Sequence, residues 1–357
     1  MAALSFWLTD RHALGDTLTL SGIPRDLAAA HPGKYKLWCD TNFMAIWAHN
    51  PWVQPPQPYE SIRPQPLKIK LTYGDGIRAA ERAQADPKRY APLHFLPFMH
   101  KKFREVTGLE VPCLRPRGDL HLTEMERRPL LAGRYWALVA GGKRDATVKF
   151  WTREGWQAVA DGLGAMGLDA VQVGGASGDH HHYALERTTN LVGKTESLRD
   201  LFSLIYGAEG VVCGITGPMH VAAALEKPCV VLAGGRESPV WEWYGPGPHF
   251  GPQCEPIRIP HRYLHTIGRP EFPCCAAKGC WKSRVVPVAP YSKNNRHNRS
   301  PCLLPVKVGQ REEPLAACMV WLKPERVLEA VWSYYLDGTL PPLGPENPPC
   351  ATISLAS

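Results

Sequence analysis

The sequence predicts an α/β protein built on doubly wound parallel sheets, and three observations lead to this fold class. Short apolar runs typical of buried strands alternate with helical segments of ordinary length. The clearest unit, over 210–234, reads as strand, glycine-bounded turn, short helix and strand. The alternation occurs in both halves of a chain that is long for one domain and comfortable for two. We therefore predict two domains, over 1–130 and 131–357.

The first half is predicted to hold a small number of alternating elements. In order, these are a strand at 4–8, a loop at 12–16, a helix at 17–30, a strand at 35–39, an irregular proline-rich stretch at 50–66, a helix at 92–106 and a polar interdomain linker at 112–130.

The second half repeats the alternation with clearer end signals. Thr152 should cap a helix that runs to about residue 163, and Ser197 with Asp200 forms a capping box for a helix that runs to 208. The last helix, at 324–336, begins with a proline. The predicted strands are 136–140, 170–173, 189–192, 210–214 and 229–233.

The 210–234 unit carries the strongest functional signal from the residues themselves. Thr216 can cap the helix, and Pro218 lies in its first turn, where a missing N–H costs nothing. The helix N-terminus then lies at the carboxyl edge of a parallel sheet, where its unpaired N–H groups favour an anion. His220 adds a ring donor. The alternative is an ordinary helix–strand corner with His220 buried in packing.

Composition narrows the function classes. The 357 residues carry 41 Lys and Arg against 33 Asp and Glu, a net charge of +8. This mild excess suits a phosphate-bearing or acidic-glycan substrate, and it lacks the clustered basic run of a nucleic-acid binder. No apolar run approaches the ~18 residues of a membrane span, and the first residues do not form a secretory signal. We expect a cytoplasmic protein whose 11 cysteines are metal ligands or buried thiols before disulfides.

The string Thr216, Gly217, Pro218, Met219 and His220, followed by an alanine run, Lys-Pro and a strand ending in Gly-Gly, closely resembles the nucleotide-sugar-binding segment of glycosyltransferase family 9. This family contains the ADP-heptose-dependent heptosyltransferases of lipopolysaccharide assembly. The resemblance implies the GT-B architecture, two Rossmann-like domains facing a central cleft, with the turn holding the donor diphosphate. One departure is Ile215, where the family usually has Asp.

A carboxylate follows the first strand, in Ala13-Leu14-Gly15-Asp16. From spacing alone, Asp16 is equally well explained as a helix-capping residue stabilised by the helix dipole. The resemblance implies that Asp16 is the general base. An inverting transfer to a hydroxyl needs one carboxylate to take the proton as the new bond forms.

Two further segments match the family. Gly141 and Gly142 form a glycine pair after a strand, and Lys149 precedes Phe-Trp151. In the family, this lysine is taken to neutralise the donor phosphates, a role that would stabilise the leaving group. The alternative for Lys149 is a solvated surface lysine. Thr195 lies in a loop that resembles the nucleotide-side loop of the family, and an ordinary turn explains it equally well.

The cysteine-rich loop at 272–320 is a candidate metal site. Thiolates of Cys275, Cys280, Cys302 and Cys318 could hold a structural Zn or Fe ion. Family chains often end with a comparable segment, and one subset, the autotransporter-modifying heptosyltransferases, is known for a metal-bound cysteine motif. The alternatives are reduced buried thiols, or a disulfide in an exported chain. The three histidines at 180–182 are read as an exposed turn.

Together, these observations predict an inverting glycosyltransferase that needs no cofactor for catalysis. It would move a heptose or related sugar from an ADP-sugar-type donor to a hydroxyl of a glycan such as lipopolysaccharide core. A glycan or lipid-linked acceptor at the periphery of the inner membrane ranks ahead of a protein acceptor. The competing functions are a non-catalytic nucleotide-sugar binder and a sugar-nucleotide epimerase of the same fold.

Overall fold

The computed structural model describes residues 5–11, 13–72, 74, 93–276, 278–287, 300–309 and 313–343. The chain forms two compact units, each described by itself. Unit 1 comprises Met1–Arg128, Ala223–Glu226 and Val240–Pro260; unit 2 comprises Pro129–Ala222, Lys227–Pro239 and His261–Ser357. Unit 1 thus includes two short segments from the second half of the sequence, while the functional division at residues 130 and 131 stays a prediction.

Unit 1 contains a small parallel sheet flanked by helices. Its elements are β1 (Ser5–Asp10), α1 (Leu14–Leu20), α2 (Gly22–Ala30), β2 (Lys36–Thr41), β3 (Leu67–Lys70) and α3 (Phe95–Thr107). The strand order is β2-β1-β3, and both pairings are parallel. Strand β3 was not anticipated from the sequence.

The predicted single helix at 17–30 is wrong, because the chain forms two helices that meet at Ser21. The first helix begins at Leu14, inside the predicted loop. Ser21 turns the chain by donating its hydroxyl to the Leu18 carbonyl over 2.6 Å. Pro24 has no N–H for a continuous helix and would crowd the carbonyl four residues earlier, so the helix must restart.

The predicted linker at 112–130 has no helix or strand, but it is not a solvated connection. Cys113, Asp119, Leu120 and Leu122 are buried. The Asp119 backbone N–H donates to the Ser21 hydroxyl over 2.7 Å, which ties this segment to the helix break. Most of the segment is therefore a packed part of unit 1, up to Arg128.

Unit 2 is built on a larger parallel sheet. Its strands are β4 (Tyr135–Leu138), β5 (Gly141–Lys143), β6 (Asp169–Gln172), β7 (His180–His182), β8 (Thr189–Asn190), β9 (Gly210–Gly214), β10 (Cys229–Gly234), β11 (Arg262–His265), β12 (Pro305–Val306) and β13 (Leu315–Ala316). The six-stranded sheet has the order β11-β10-β9-β4-β6-β8, with every pairing parallel.

Six helices accompany these strands, and three of them begin at the signals predicted at Thr152, Ser197 and Pro324. The six are α4 (Arg153–Ala165), α5 (Leu198–Gly207), α6 (Gly217–Ala224), α7 (Pro239–Glu242), α8 (Ala317–Val320) and α9 (Pro324–Leu336). The Thr152 side chain accepts from the Gly155 N–H, and the Ser197–Asp200 capping box forms. The end signals at Thr152, Ser197 and Pro324 are therefore confirmed. No helix in the described ranges is both long and apolar enough to cross a membrane.

The histidines at 180–182 form strand β7, so the predicted exposed turn is wrong. Strand β7 pairs with β5 in an antiparallel two-stranded sheet. Gly141 makes this pairing close, because a Cβ atom there would lie 2.0 Å from the His181 carbonyl oxygen. The Gly141–Gly142 pair is therefore a strand and not the expected loop.

Candidate functional site

Three loops of unit 2 meet at one edge of the large sheet. Strand β9 lies between β4 and β10, and all three run parallel. Their carboxyl ends therefore share one edge, which is where ligands bind in open α/β sheets. Lys149 comes from the connection after β4, the 216–220 turn follows β9, and Glu237 follows β10. The sequence predicted the first two of these groups.

The turn after β9 leads into a helix at the predicted place. Helix α6 begins at Gly217, and Pro218 lies in its first turn. The Thr216 hydroxyl donates to the Gly214 carbonyl over 3.3 Å, and the Met219 N–H donates to the Thr216 carbonyl over 3.0 Å. A helix N-terminus at this edge favours an anion through its N–H groups and dipole.

Lys149 is held directly against this turn. Its Nζ donates to the carbonyl of Ile215 over 2.8 Å and lies 3.2 Å from Oε1 of Glu237. The Lys149 side chain is 20% exposed, so it is partly buried but still accessible to solvent. The alternative of a solvated surface lysine is wrong. Ile215, which replaces the usual family Asp, is buried and contributes its carbonyl here.

His220 lies buried beside the same group. Burial, and then the charge of Lys149, lower the pKa of His220 to about 3. His261 is also buried near it, and burial followed by the charge of His220 lowers its pKa to about 3. Both rings are therefore neutral near neutral pH, and Lys149 is the cation that faces the turn.

Glu237 and Arg236 are site residues that the sequence analysis did not single out. Glu237 is fully buried and pairs with both Lys149 and Arg236. Arg236 is anchored from the other side, since its Nε donates to the Lys282 carbonyl over 2.7 Å. The available signal was a pair of opposite charges directly after the Gly-Gly end of a buried strand.

The other predicted donor-site residues do not all point to the turn. The Met219 side chain is buried in the core, which leaves only its backbone for a ligand. Thr195 follows β8, which is separated from β9 by β4 and β6. At the usual spacing between strands, it lies roughly 14 Å along the same edge. Such a position suits contact with a distant part of an extended ligand.

Asp16 lies in unit 1, in the first turn of α1 at the carboxyl end of β1. It is half-buried, and its Oδ2 accepts the Ala13 backbone N–H over 3.0 Å. The capping role that the sequence allowed is thus confirmed. A capped carboxylate still has lone pairs with which to accept a proton, so its catalytic role stays a prediction.

The predicted metal ligands share one cavity in unit 2. Cys275, Cys280, Cys302 and Cys318 line it, together with Cys274, the neighbour of Cys275 in the same cysteine-rich loop. The cavity also touches Gly235, directly after β10. Burial raises the pKa of Cys280 to about 11 and that of Cys318 to about 12, so both thiols keep their protons unless a metal ion displaces them. All ten cysteines in the described ranges are free.

Unit 1 holds a separate buried cluster of charge. The Asp26 carboxylate accepts hydrogen bonds from Arg25 Nε over 2.8 Å and from the Leu114 backbone N–H over 3.2 Å, and it lies 2.8 Å from Nε2 of His100. Asp26, His100 and Cys113 are the one set of three or more potential metal ligands within 4.8 Å of one another in the described residues. Because a guanidinium already pairs with the carboxylate, we interpret the cluster as an ion-pair network.

Comparison with known proteins agrees with the resemblance read from the sequence. Residues 81–245 match the family described as glycosyltransferase family 9 (heptosyltransferase). This segment includes Gly141, Gly142, Lys149 and the whole 216–220 turn. A sequence comparison with curated proteins gives no match.

Solved structures share the fold at low sequence identity. The chain is similar to the ADP-heptose lipopolysaccharide heptosyltransferase II of E. coli, with a TM-score of 0.53, 17% identity, and coverage of 94% of this chain and 100% of that one. A family 9 glycosyltransferase from Veillonella parvula matches with a TM-score of 0.54 and 14% identity, over 94% of this chain and 99% of that one. TibC is an iron-containing dodecameric heptosyltransferase of enterotoxigenic E. coli. Its structure with ADP-D-β-D-heptose matches with a TM-score of 0.55 and 12% identity, over 94% of this chain and 76% of that one. The predicted fold class is confirmed as an α/β chain with parallel sheets that matches solved heptosyltransferase structures.

Proposed function

We propose that this chain is a glycosyltransferase of family 9 that moves a heptose or related sugar from an ADP-sugar-type donor, and the match of residues 81–245 to that family supports this proposal. The acceptor would be a hydroxyl of a glycan such as lipopolysaccharide core, and the transfer would invert the anomeric centre. The proposed compartment is the cytoplasm, which keeps thiols reduced and suits the free cysteines.

The observation that carries this proposal is the pairing of Lys149 with the turn after β9. The ammonium group lies 2.8 Å from a carbonyl of the turn whose helix presents its N-terminus to the sheet edge. A diphosphate placed there would meet a cation and several backbone donors together. Two similar solved proteins are named for ADP-heptose, which supports this donor class.

The chemistry follows from charge development. As the sugar leaves the diphosphate, negative charge grows on the phosphate oxygens, and Lys149 with the N–H groups of α6 would stabilise it. His220, being neutral, would offer a hydrogen bond without adding a charge. Asp16 would take the proton from the acceptor hydroxyl as the new bond to the anomeric carbon forms.

The test of this mechanism is Asp16→Ala. Removing a general base should lower the transfer rate by about 10²–10⁴-fold, while the affinity for ADP stays the same. Asp16→Asn keeps the acceptor for the Ala13 N–H and separates loss of the cap from loss of the base. Full turnover by both variants would remove Asp16 from the mechanism. Interconversion of free sugar nucleotides without an acceptor would indicate the epimerase, and ADP-sugar binding without transfer would indicate the binder.

We also propose that the cysteine cavity holds a structural Zn or Fe ion. The donor chemistry fits, because five thiols line one cavity and thiolates are preferred ligands of both metals. No three of these thiols lie within 4.8 Å of one another in the described residues, so the loop would have to draw them together around the ion. The residues that would hold the ion are Cys275, Cys280, Cys302 and Cys318. The iron-containing TibC supports a metal in this fold. An ion there would cross-link the loop to the end of β10.

Metal analysis of the purified chain tests this second proposal. Since burial raises the thiol pKa values, metal binding must displace protons, and metal occupancy should fall as the pH is lowered. Cys280→Ser should lose the metal, and Cys39→Ser, a buried thiol of unit 1, is the matched control. Absence of bound metal in a chain purified without chelators would contradict the proposal.

A further inference from the structure

Glu237 is a buried carboxylate whose pairing is incomplete. The side chain is 0% exposed, and its Oε1 lies 3.2 Å from Nζ of Lys149. Both of its ion pairs, with Lys149 and Arg236, are made by Oε1, and Oε2 has no hydrogen-bond partner in the part of the chain that the structure describes. Burial of a carboxylate costs several kcal/mol unless cations and donors compensate it. Its presence at the ligand-binding edge of the sheet therefore calls for an explanation.

The groups around Glu237 give the site a definite charge. Lys149 and Arg236 are cations that both pair with this carboxylate. Among the neighbouring ionisable residues that the structure describes, His220 and His261 are neutral near neutral pH, and Tyr263 donates its hydroxyl to the Glu237 backbone carbonyl. The two cations and the one carboxylate together carry a net charge of about +1. Lys149 is the cation that contacts the turn.

The two cations are not equivalent. Arg236 is fixed by its bond to the Lys282 carbonyl, and its guanidinium lies 5.9 Å from the ring centre of Trp281. Lys149 has a flexible side chain and follows β4, on the other side of β9 from Glu237; its amine contacts the Ile215 carbonyl and the Glu237 carboxylate. Of these two oxygens, the carboxylate is the charged one and gives the stronger electrostatic restraint.

We propose that Glu237 is a positioning residue for the donor. It holds the Lys149 ammonium against the β9–α6 turn before the diphosphate arrives, and it leaves one net positive charge for the ligand. This inference rests on the proposed function and deepens it, since it names the residue that preorganises the phosphate-binding lysine.

Removing the carboxylate has a consequence that a merely structural role would not produce. In Glu237→Gln, a partly buried Lys149 would face Arg236 without a counter-charge. Desolvation and like-charge repulsion both favour the neutral amine. Binding of a diphosphate should then weaken as the pH rises, because the amine loses its proton in a range where the wild-type amine keeps it.

The experiment measures ADP binding by calorimetry across a range of pH. At neutral pH, Glu237→Gln should bind ADP about 10-fold more weakly, which corresponds to one charge-assisted contact. The defect should shrink at lower pH and grow at higher pH, and Glu237→Asp should recover part of the affinity. Glu209→Gln is the matched control, because it removes another paired carboxylate of unit 2, the partner of Arg134, away from the turn.

A second readout does not depend on ADP. The rate at which an amine-directed acylating reagent modifies Lys149 reports its neutral fraction, and Glu237→Gln should raise that rate at neutral pH. Unchanged ADP affinity and unchanged Lys149 reactivity in folded Glu237→Gln would overturn the inference alone. If the Gln variant does not fold, Glu237→Asp decides it by the same two measurements. If the wild type fails to bind ADP, the proposed donor is wrong. The labelling rates alone would then test whether Glu237 keeps the Lys149 amine protonated.

Discussion

Two buried charge clusters, one in each unit, differ in how completely they are satisfied. In unit 1, both oxygens of Asp26 accept hydrogen bonds, from Arg25, His100 and the Leu114 backbone. In unit 2, the Glu237 carboxylate is equally buried, but both of its ion pairs are made by Oε1, and Oε2 has no hydrogen-bond partner in the described residues.

We interpret the cluster in unit 1 as structural and propose that the cluster in unit 2 serves ligand binding. A fully bonded ion-pair network has no capacity left for a ligand, and breaking it exposes an uncompensated buried charge. A cluster that keeps an excess cation beside a helix N-terminus is incomplete until an anion arrives. Buried polar groups that lack hydrogen-bond partners are expected at functional sites more often than elsewhere in a fold.

The largest difference between the two clusters should appear in the stability of the fold when the Asp26 carboxylate is removed. Asp26→Asn leaves Arg25 and His100 buried with one carboxylate fewer, and we expect a loss of about 3–5 kcal/mol in the free energy of unfolding. Chemical denaturation measures this loss. Folded Asp26→Asn should bind ADP with wild-type affinity. A variant as stable as the wild type would remove the distinction between the clusters.

The pH dependence provides the control for this prediction. Burial alone would raise the pKa of Asp26, but the hydrogen bonds and charges of His100 and Arg25 outweigh it and hold the pKa below its usual value. The carboxylate therefore contributes stability above its unfolded-state pKa, and this contribution is lost as the pH falls through the folded-state pKa. Denaturation midpoints at descending pH should show this loss in the wild type and not in Asp26→Asn.

The sequence predicted the elements whose signals are local. Strand β9 was predicted with its observed limits, and Thr152 and Ser197 marked helix starts because their caps involve neighbouring residues. The turn at Thr216 was also visible, since the strand, the glycine and the proline lie next to each other in the chain. These features need no knowledge of the tertiary structure.

Features that depend on distant residues were not predictable in this way. Glu237 meets Lys149 across a separation of 88 positions, and Asp26 meets His100 across 74. The role of Gly141 depends on the carbonyl of His181, which decides between a strand and a loop. Pairings of this kind are set by sheet order, which composition and periodicity do not encode.

The most direct test of the central claim is the binding of ADP to Lys149→Met. The claim is that the charge held at the β9–α6 turn binds a nucleoside diphosphate. A charge-assisted contact is worth about 1.5–3 kcal/mol, so the variant should bind ADP about 10–100-fold more weakly than the wild type. Lys227→Met, which removes a partly buried lysine from the opposite end of β10, should bind as the wild type does. Equal ADP affinity in Lys149→Met and wild type would contradict the claim.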